Sequence, residues 1–352
     1  MTELKYYPIL KWKMGEKIAL ERLSKNVINK IAPIIEVVES EKKIDILREI
    51  RQINGFDKIF LDTSYVEDDN SGYLENLMIE AGSKGLPIYP VLSYDEFKYR
   101  ADNFIKSDEL LVKIAIPEDL DGDDYNTMFD SIKKWINKCD VNLSVLLDLG
   151  LIENRMDANR QYAELKRVLD KYIMELNINN IIISVTSFPD DLSDISSGGE
   201  NFYKRFDIKI FTRLMESKEF HALNEKICYS DYGVTKFTES EIDFSRLRYG
   251  ILPKARYTTK DDYWILKGKR DNYTKEWIMN HQTLAQTIFS SSYYYGENFS
   301  FGDYDIMERA LGHKKDSPEK TVGPGSNTNW VTIAVSHHIP VVVDELSMLF
   351  DS

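Results

Sequence analysis

Residues 142–149, NLSVLLDL, form a nearly continuous apolar run, and residues 110–116, LLVKIAI, form another. Between them, residues 125–136 carry apolar side chains at the spacing of one helix face. A strand with apolar residues on both sides is typical of a parallel sheet whose two faces are both covered. The stretch therefore predicts a unit in which two parallel strands are joined by a helix.

The same alternation runs through most of the chain. The predicted strands are residues 7–12, 31–38, 58–62, 86–92, 110–116, 142–149, 180–187 and 226–232. Helical patterns between them include residues 16–24, 44–53, 72–82, 125–136, 159–175 and 202–220. Eight such units over about 235 residues predict an α/β fold of the (β/α)8 TIM-barrel type. An open doubly wound sheet is the alternative, but its first turn is usually rich in glycine, and residues 11–16 contain one.

The strand–helix rhythm ends after Gly233. Beyond it, the patterns predict a hairpin at residues 254–267, helices at 273–289, 303–311 and 327–338, disorder at 313–327 and a strand at 339–346. We therefore predict a barrel over residues 1–235 and a C-terminal α+β appendage over residues 236–352. The hairpin and helices of this appendage are expected to pack on the barrel mouth.

Composition excludes several classes of protein. The 352 residues carry a net charge of −13, so direct binding to nucleic acid is not expected. Cys139 and Cys228 lie far apart, which fits neither a disulfide framework nor a paired-cysteine metal site. We expect a cytoplasmic protein with no membrane span, because there is no signal-peptide pattern and no apolar run of ~18 residues. Nothing in the sequence indicates an oligomeric state.

Charged residues interrupt or end several predicted strands. A barrel gathers the carboxyl ends of its strands around one mouth, where the catalytic residues of barrel enzymes lie. The catalytic candidates at these positions are Glu36, Asp62, Lys113, Asp148 and Asp231. Because burying a charge is costly unless the charge is paired or used, an active site is predicted. The alternative is a buried network that closes the barrel end, such as Lys113 paired with Glu36 or Asp148.

These residue types allow several chemistries. Carboxylates can act as general acid and base, or hold Mg²⁺ or Mn²⁺ through oxygen, although no metal ligand set can be assigned. Lys113 could bind an anion, or form a Schiff base if its pKa were lowered. The ligand-binding candidates are Lys11, Lys13, Ser187, Arg256, Tyr257 and His337. An arginine can bind a phosphate or carboxylate through two hydrogen bonds. For His337, a packed and hydrogen-bonded core histidine is the alternative.

Several short motifs, taken in order, resemble those of the beta family proteins, a group named for a phage beta protein. The motifs are residues 7–13 (YPILKWK), 15–20 (GEKIAL), 31–36 (IAPIIE), 147–150 (LDLG), 187–189 (SFP), 230–233 (SDYG), 255–258 (ARYT), 329–330 (NW) and 337–338 (HH). The resemblance implies a barrel-like fold and an occurrence in bacterial and phage genomes, often among mobile or defence genes. It implies no particular reaction.

Two classes of function follow. The first is a barrel enzyme, a hydrolase or lyase that acts on a phosphorylated or nucleotide-like ligand, with or without a divalent metal, in phage–host conflict. The second is a barrel that binds without turnover and senses a phage component or a signal molecule within an antiviral defence system. The expected partner is accordingly a small anionic ligand or a phage or defence protein.

Overall fold

Eight parallel strands form one sheet in which neighbours along the chain are also neighbours in space. The computed structural model describes residues 5–38, 45–53, 55–66, 72–117, 123–235 and 252–350. The strands of this sheet are β1 (Ile9–Lys11), β2 (Ile34–Glu36), β3 (Ile59–Asp62), β4 (Ile88–Ser93), β5 (Glu109–Ala115), β6 (Asn142–Leu151), β7 (Ile181–Thr186) and β9 (Ile227–Ser230).

Helices follow most of these strands. They are α1 (Met14–Glu21), α2 (Lys25–Ile28), α3 (Ile46–Gln52), α4 (Tyr73–Ser83), α5 (Tyr94–Arg100), α6 (Tyr125–Ile136), α7 (Arg155–Lys171) and α8 (Phe206–Met215). Polar caps fix where several helices begin. Ser93 and Glu96 form a reciprocal capping box at α5, and the side chain of Asp124 accepts from Thr127 N at α6.

Backbone hydrogen bonds also join the first strand to the last one. Tyr229 N donates to Lys5 O, Tyr7 N donates to Tyr229 O, and Ile9 N donates to Asp231 O, each at 2.8 Å. The sheet is therefore barrel-like, and the prediction of an α/β fold with alternating parallel strands and helices is confirmed. The open doubly wound sheet is not what forms.

The chain divides into two compact units. The barrel unit consists of Met1–Lys13, Ile28–Ser187 and Phe206–Tyr232, and the second unit of Met14–Val27, Phe188–Arg205 and Gly233–Ser352. The second unit thus includes two segments from the first two thirds of the chain as well as its C-terminal part. The predicted boundary at residue 235 and the predicted packing on the barrel mouth remain predictions.

The second unit is built on an antiparallel sheet. Its strands lie in the order β10 (Lys254–Thr258), β11 (Asp262–Lys267) and β8 (Glu200–Lys204). Lys254 is paired with Lys267, which confirms the predicted hairpin. The helices α9 (His281–Phe289), α10 (Phe301–Leu311) and α11 (Asn327–Phe350) contribute to a core that includes Trp264 and Trp330.

Two sequence-based assignments fail where apolar residues belong to strands. Residues 202–204 were expected to begin a helix but lie in β8, where the ring of Phe202 stacks on that of Trp264 at 5.4 Å. Part of the helix predicted over residues 273–289 is β13 (Trp277–Met279), which pairs with β12 (Lys269–Arg270). In both places, pairing with another strand outweighs the local helical pattern.

Two further assignments fail near the C-terminus. Residues 339–346 were expected to form a strand but continue α11, with Pro340 inside the helix. Residues 332–343 are all buried, and a short buried run has the same apolar pattern in a strand and in a helix. Residues 313–327, predicted to be disordered, contain the paired strands β14 (His313–Lys314) and β15 (Ser317–Thr321).

Among the described residues, α11 is the one helix long and apolar enough to cross a membrane by length and composition. Its most apolar 18-residue window has a mean hydropathy of 1.3, and 61% of that window is buried. Its two histidines, His337 and His338, are completely buried and hydrogen-bonded within the second unit. These contacts are typical of the core helix of a folded unit.

The close approach of α10 and α11 gives a first prediction. A Cβ atom on Gly302 would lie 2.3 Å from Ile333 O. Gly302→Ala should therefore destabilise the protein by about 1–3 kcal/mol, although alanine is the better helix former. Gly323→Ala is the matched control, because its Cβ would meet no atom within 4 Å. Urea unfolding checks both variants, and equal free energies of unfolding would contradict this packing.

Candidate functional site

Strand register places the predicted charged residues of the barrel unit on one face of the sheet. Lys11 is paired with Glu36, and Glu36 is paired with Asp62. Asp148 is paired with Ala115, two residues after Lys113. Paired residues share a face, and residues two apart on a strand also share one. Asp62 is in turn paired with Val91, and Val91 with Leu111, two residues before Lys113. The five side chains therefore lie on the same face.

Distances show that this is the inner face. Lys113 Nζ lies 3.7 Å from Glu36 Oε1 and 3.5 Å from Asp148 Oδ2. Glu36 is in β2 and Lys113 is in β5, three strands away, which is about 14 Å measured along a sheet. Side chains so far apart in the sheet can meet only across the inside of a barrel. The structure thus brings together Glu36, Lys113 and Asp148, three of the five predicted catalytic residues. These contacts are also those of the alternative, a buried network in which Lys113 pairs with Glu36 or Asp148.

Glu36 has the most unusual environment of this group. Its side chain is completely buried, and neither carboxyl oxygen has a hydrogen-bond partner among the described residues. Burial raises the pKa of Glu36 to about 7, Lys113 opposes this effect, and Asp62 adds to it. Glu36 is therefore a carboxyl group that can hold or release a proton near neutral pH.

Lys113 is a permanent cation in this site. Burial alone would lower its pKa, but the neighbouring Tyr232, Asp148 and Glu36 outweigh burial and hold the pKa well above its usual value. Its ammonium also lies 5.2 Å from the centre of the Tyr232 ring, and 20% of the side chain is exposed. A Schiff-base role requires a lowered pKa. This environment therefore favours a role in which the positive charge of Lys113 stabilises a negative charge.

Asp148 is held by two donors from the protein. The hydroxyl group of Tyr232 donates to Oδ2 at 2.5 Å, and Gly150 N donates to Oδ1 at 3.1 Å. Burial raises the pKa of Tyr232 well above its usual value, and Asp148 adds to this shift. Tyr232 was not predicted as a site residue. Its position directly after Asp231, at the end of a strand, is the signal that could have indicated it.

Asp62 is the last residue of β3, and Tyr65 belongs to the segment that follows it. Asp62 Oδ1 accepts from Ser64 N at 2.9 Å, which turns the chain after the strand. Tyr65, which sequence analysis also missed, is 38% exposed. Burial of its hydroxyl group raises the pKa of Tyr65 to about 12, and the charge of Glu36 adds to the shift. Tyr65 therefore lies close enough to the site to respond to its charges.

The other candidates of the barrel unit have different surroundings. Lys11 is buried and its charge lowers the pKa of Glu36, whereas Lys13 is exposed. Asp231 accepts a hydrogen bond from the hydroxyl group of Tyr6 at 2.8 Å. Ser187 N donates to Asp207 Oδ2 at 3.1 Å, and Ser187 Oγ accepts from Asp207 N at 3.3 Å. This pair connects the end of β7 to the beginning of α8.

The remaining candidates, Arg256, Tyr257 and His337, lie in the second unit. Arg256 Nη1 donates to Val234 O at 3.1 Å, and burial lowers the pKa of Arg256. The hydroxyl group of Tyr257 donates to Asp303 Oδ1 at 2.7 Å. His337 is completely buried, with Nδ1 2.8 Å from Asp303 Oδ2 and Nε2 2.8 Å from Thr258 O. These contacts tie β10 to α10 and α11.

A second buried carboxyl group on the same inner face provides a contrast. Glu109 lies four residues before Lys113 on β5, towards the opposite end of the barrel. Glu109 Oε2 is 2.5 Å from Lys58 Nζ, and Oε1 accepts from Ser144 Oγ at 3.2 Å. Both oxygens of Glu109 thus have hydrogen-bond partners, whereas those of Glu36 have none among the described residues, and Oε1 of Glu36 faces the ammonium of Lys113 at 3.7 Å. Pairing at this amino end is what barrel stability requires.

Within the described ranges, no group of three or more His, Cys, Asp or Glu side chains is arranged to hold a metal ion. In the cluster around Glu36, the ammonium of Lys113 lies between two of the carboxyl groups. The protein itself therefore supplies a positive charge close to these two carboxyl groups.

The contrast between the two carboxyl groups gives a prediction. The folded-state pKa of Glu36 is about 7, against 4.5 as its ordinary value, so its contribution to stability declines as the pH rises through this interval. The total decline is about 3 kcal/mol. Glu36→Gln should remove this decline of stability with pH, and the variant should be more stable than the wild type near pH ~8. Glu109→Gln should instead lose about 1.5–3 kcal/mol near neutral pH, because it breaks a charged hydrogen bond.

Urea unfolding of both variants between pH ~5 and ~8 checks this prediction. A free energy of unfolding for Glu36→Gln that runs parallel to that of the wild type over this range would contradict it.

Comparison with known proteins bears on the whole chain. A family model described as Beta protein matches residues 6–344, a range that contains every candidate residue from Lys11 to His337. No curated protein sequence matches the chain. The resemblance inferred from short motifs is confirmed, and the chain belongs to the Beta protein family.

Proposed function

We propose that the barrel unit is an enzyme, a hydrolase or lyase, that works by general acid–base catalysis through Glu36. The observation that carries the proposal is a completely buried carboxyl group without a hydrogen-bond partner among the described residues, with a pKa of about 7. A group whose pKa is close to the working pH transfers protons most effectively. Glu36 also lies where a barrel of the TIM type carries its chemistry.

The neighbours of Glu36 suit this role. Lys113 is a fixed positive charge 3.7 Å from Glu36 Oε1, and it can stabilise negative charge that develops on a substrate oxygen. Asp148, held by Tyr232 and Gly150, keeps the ammonium of Lys113 in place from the other side at 3.5 Å. Glu36 would take a proton from an attacking oxygen or give one to a leaving oxygen, and Lys113 would remain charged throughout.

The proposal includes the ligand class that the sequence indicates, a phosphorylated or nucleotide-like small molecule. Its support is Lys11, at the end of β1, and the exposed Lys13 that follows it, two cations that can hold a phosphate outside the carboxyl cluster. A cytoplasmic role in phage–host conflict is the biological part of the same proposal. Its support is membership of the Beta protein family together with the genomic setting that the resemblance implies.

One observation favours the second function, a barrel that binds a ligand without turnover. Asp62, Asp148 and Asp231 each accept a hydrogen bond from a protein donor. Glu36 is thus the one carboxyl group of the predicted catalytic set without a hydrogen-bond partner among the described residues. A single free acid–base group is sufficient for binding, whereas many hydrolases use two.

Turnover measurements test the proposal. The wild-type protein is incubated with phosphate monoesters and nucleoside mono-, di- and triphosphates, and products are followed by ³¹P NMR, in parallel with Mg²⁺, with Mn²⁺ and with a chelator. We expect at least one substrate to be converted, with a rate that changes around pH ~7. Glu36→Gln should lower this rate by about 10²–10⁴-fold, because the proton-transfer group is lost.

Glu109→Gln is the matched control, since it removes a buried carboxyl group from the same inner face away from the proposed chemistry. Its rate per folded molecule should equal that of the wild type. An unchanged rate in Glu36→Gln would overturn the assignment of Glu36. If no substrate is converted but one raises the melting temperature, the binding function is the correct one.

A further inference from the structure

Two buried polar groups on the inner face of the barrel sheet lack a hydrogen-bond partner in the part of the chain that the structure describes. They are the carboxyl group of Glu36 and the hydroxyl group of Ser184, and both residues are 0% exposed. A buried polar group is normally paired with the protein, with water or with a ligand, because an unpaired one loses its hydration without compensation. A molecule from outside the chain can therefore supply the missing hydrogen bonds of these two groups.

Ser184 lies on the same inner face as Glu36. The register pairs Ser184 with Asp148 in β6 and with Ser230 in β9. The hydroxyl group of Ser230 donates to Tyr7 O at 2.6 Å, so this serine is used by the fold. Of the two serines at this level of the barrel, Ser184 is the one whose hydroxyl group is available to a ligand. Sequence analysis selected Ser187, three residues further on.

The charged groups around Glu36 restrict what can enter. The charges of Asp62 and Asp148 both raise the pKa of Glu36, and Lys113 already lies 3.7 Å from Glu36 and 3.5 Å from Asp148. A phosphate that entered this space would lose its hydration beside three carboxyl groups, which is unfavourable. A neutral group with hydrogen-bond donors and acceptors can pair with a carboxyl group such as Glu36 or a hydroxyl group such as Ser184 without adding charge.

We propose that the inner face of the barrel binds a neutral hydrogen-bonding portion of its ligand, and that Ser184 is a positioning residue for it. In a phosphorylated or nucleotide-like ligand, this portion is the sugar or the base, and the phosphate remains outside the carboxyl cluster. The role of Glu36 as acid and base rests on the proposed function. The binding of a neutral group by Ser184 stands without it.

The first test uses the unliganded full-length chain. Ser184→Ala should leave the melting temperature unchanged or raise it, because the hydroxyl group that it removes has no partner in the described residues. Ser230→Ala is the matched control and should lower the melting temperature, since it loses the bond to Tyr7 O. If both variants lower it equally, Ser184 is used by the fold and the proposal is overturned.

The second test measures binding by calorimetry. The probes are adenosine, guanosine, cytidine, uridine and their free bases, ribose, and inorganic phosphate. We expect at least one neutral probe to bind the wild type and to bind Ser184→Ala about tenfold more weakly, and we expect phosphate not to compete with it. The free bases and ribose distinguish recognition of the base from recognition of the sugar.

Three results would overturn the inference: no neutral probe binds, Ser184→Ala binds them equally well, or phosphate competes for the site. The outcome is separable from that of the proposed function. Binding that depends on Ser184 without turnover that depends on Glu36 overturns the enzyme and leaves this inference standing. Turnover that depends on Glu36, with an unchanged KM in Ser184→Ala, overturns only this inference.

Discussion

The register of the closed parallel sheet is the constraint on which the site depends. Because Lys11, Glu36 and Asp62 are paired across neighbouring strands, their side chains must share a face. Because the first and last strands are joined by hydrogen bonds, this face is concave, and side chains from β2 and β5 meet across it. A slip of one residue in any of these strands would turn its charged side chain to the opposite face.

The buried carboxyl groups at the two ends of this inner face have different surroundings. At the amino end, both oxygens of Glu109 are paired with side chains of the protein. At the carboxyl end, Glu36 is as deeply buried but has no hydrogen-bond partner in the described residues. A buried carboxyl group without a hydrogen-bond partner destabilises the fold when it is ionised. The raised pKa of Glu36 is a consequence of this destabilisation. A group kept at such a cost is a candidate for function.

Sequence patterns predicted the barrel strands and the residues that converge, because continuous apolar runs interrupted by a charge are informative about both. They could not predict which of these carboxyl groups has no hydrogen-bond partner among the described residues. The contacts of Asp148 with Tyr232, and of Asp231 with Tyr6, join residues 84 and 225 positions apart in the chain. The sequence patterns also failed where the local pattern and long-range strand pairing disagree, as in β8. They failed again where a buried helix has the same apolar pattern as a strand, as in α11.

The most direct test of the account is the protonation of Glu36 itself. Carbon-13 NMR of the glutamate side-chain carboxyl groups, with Glu36→Gln used to assign the resonance, measures the pKa of this one group. We predict a titration with a midpoint of about 7. Lys113→Met should move the midpoint higher, because the positive charge of Lys113 lowers this pKa. A midpoint near the ordinary value of 4.5, unaffected by Lys113→Met, would contradict the central claim.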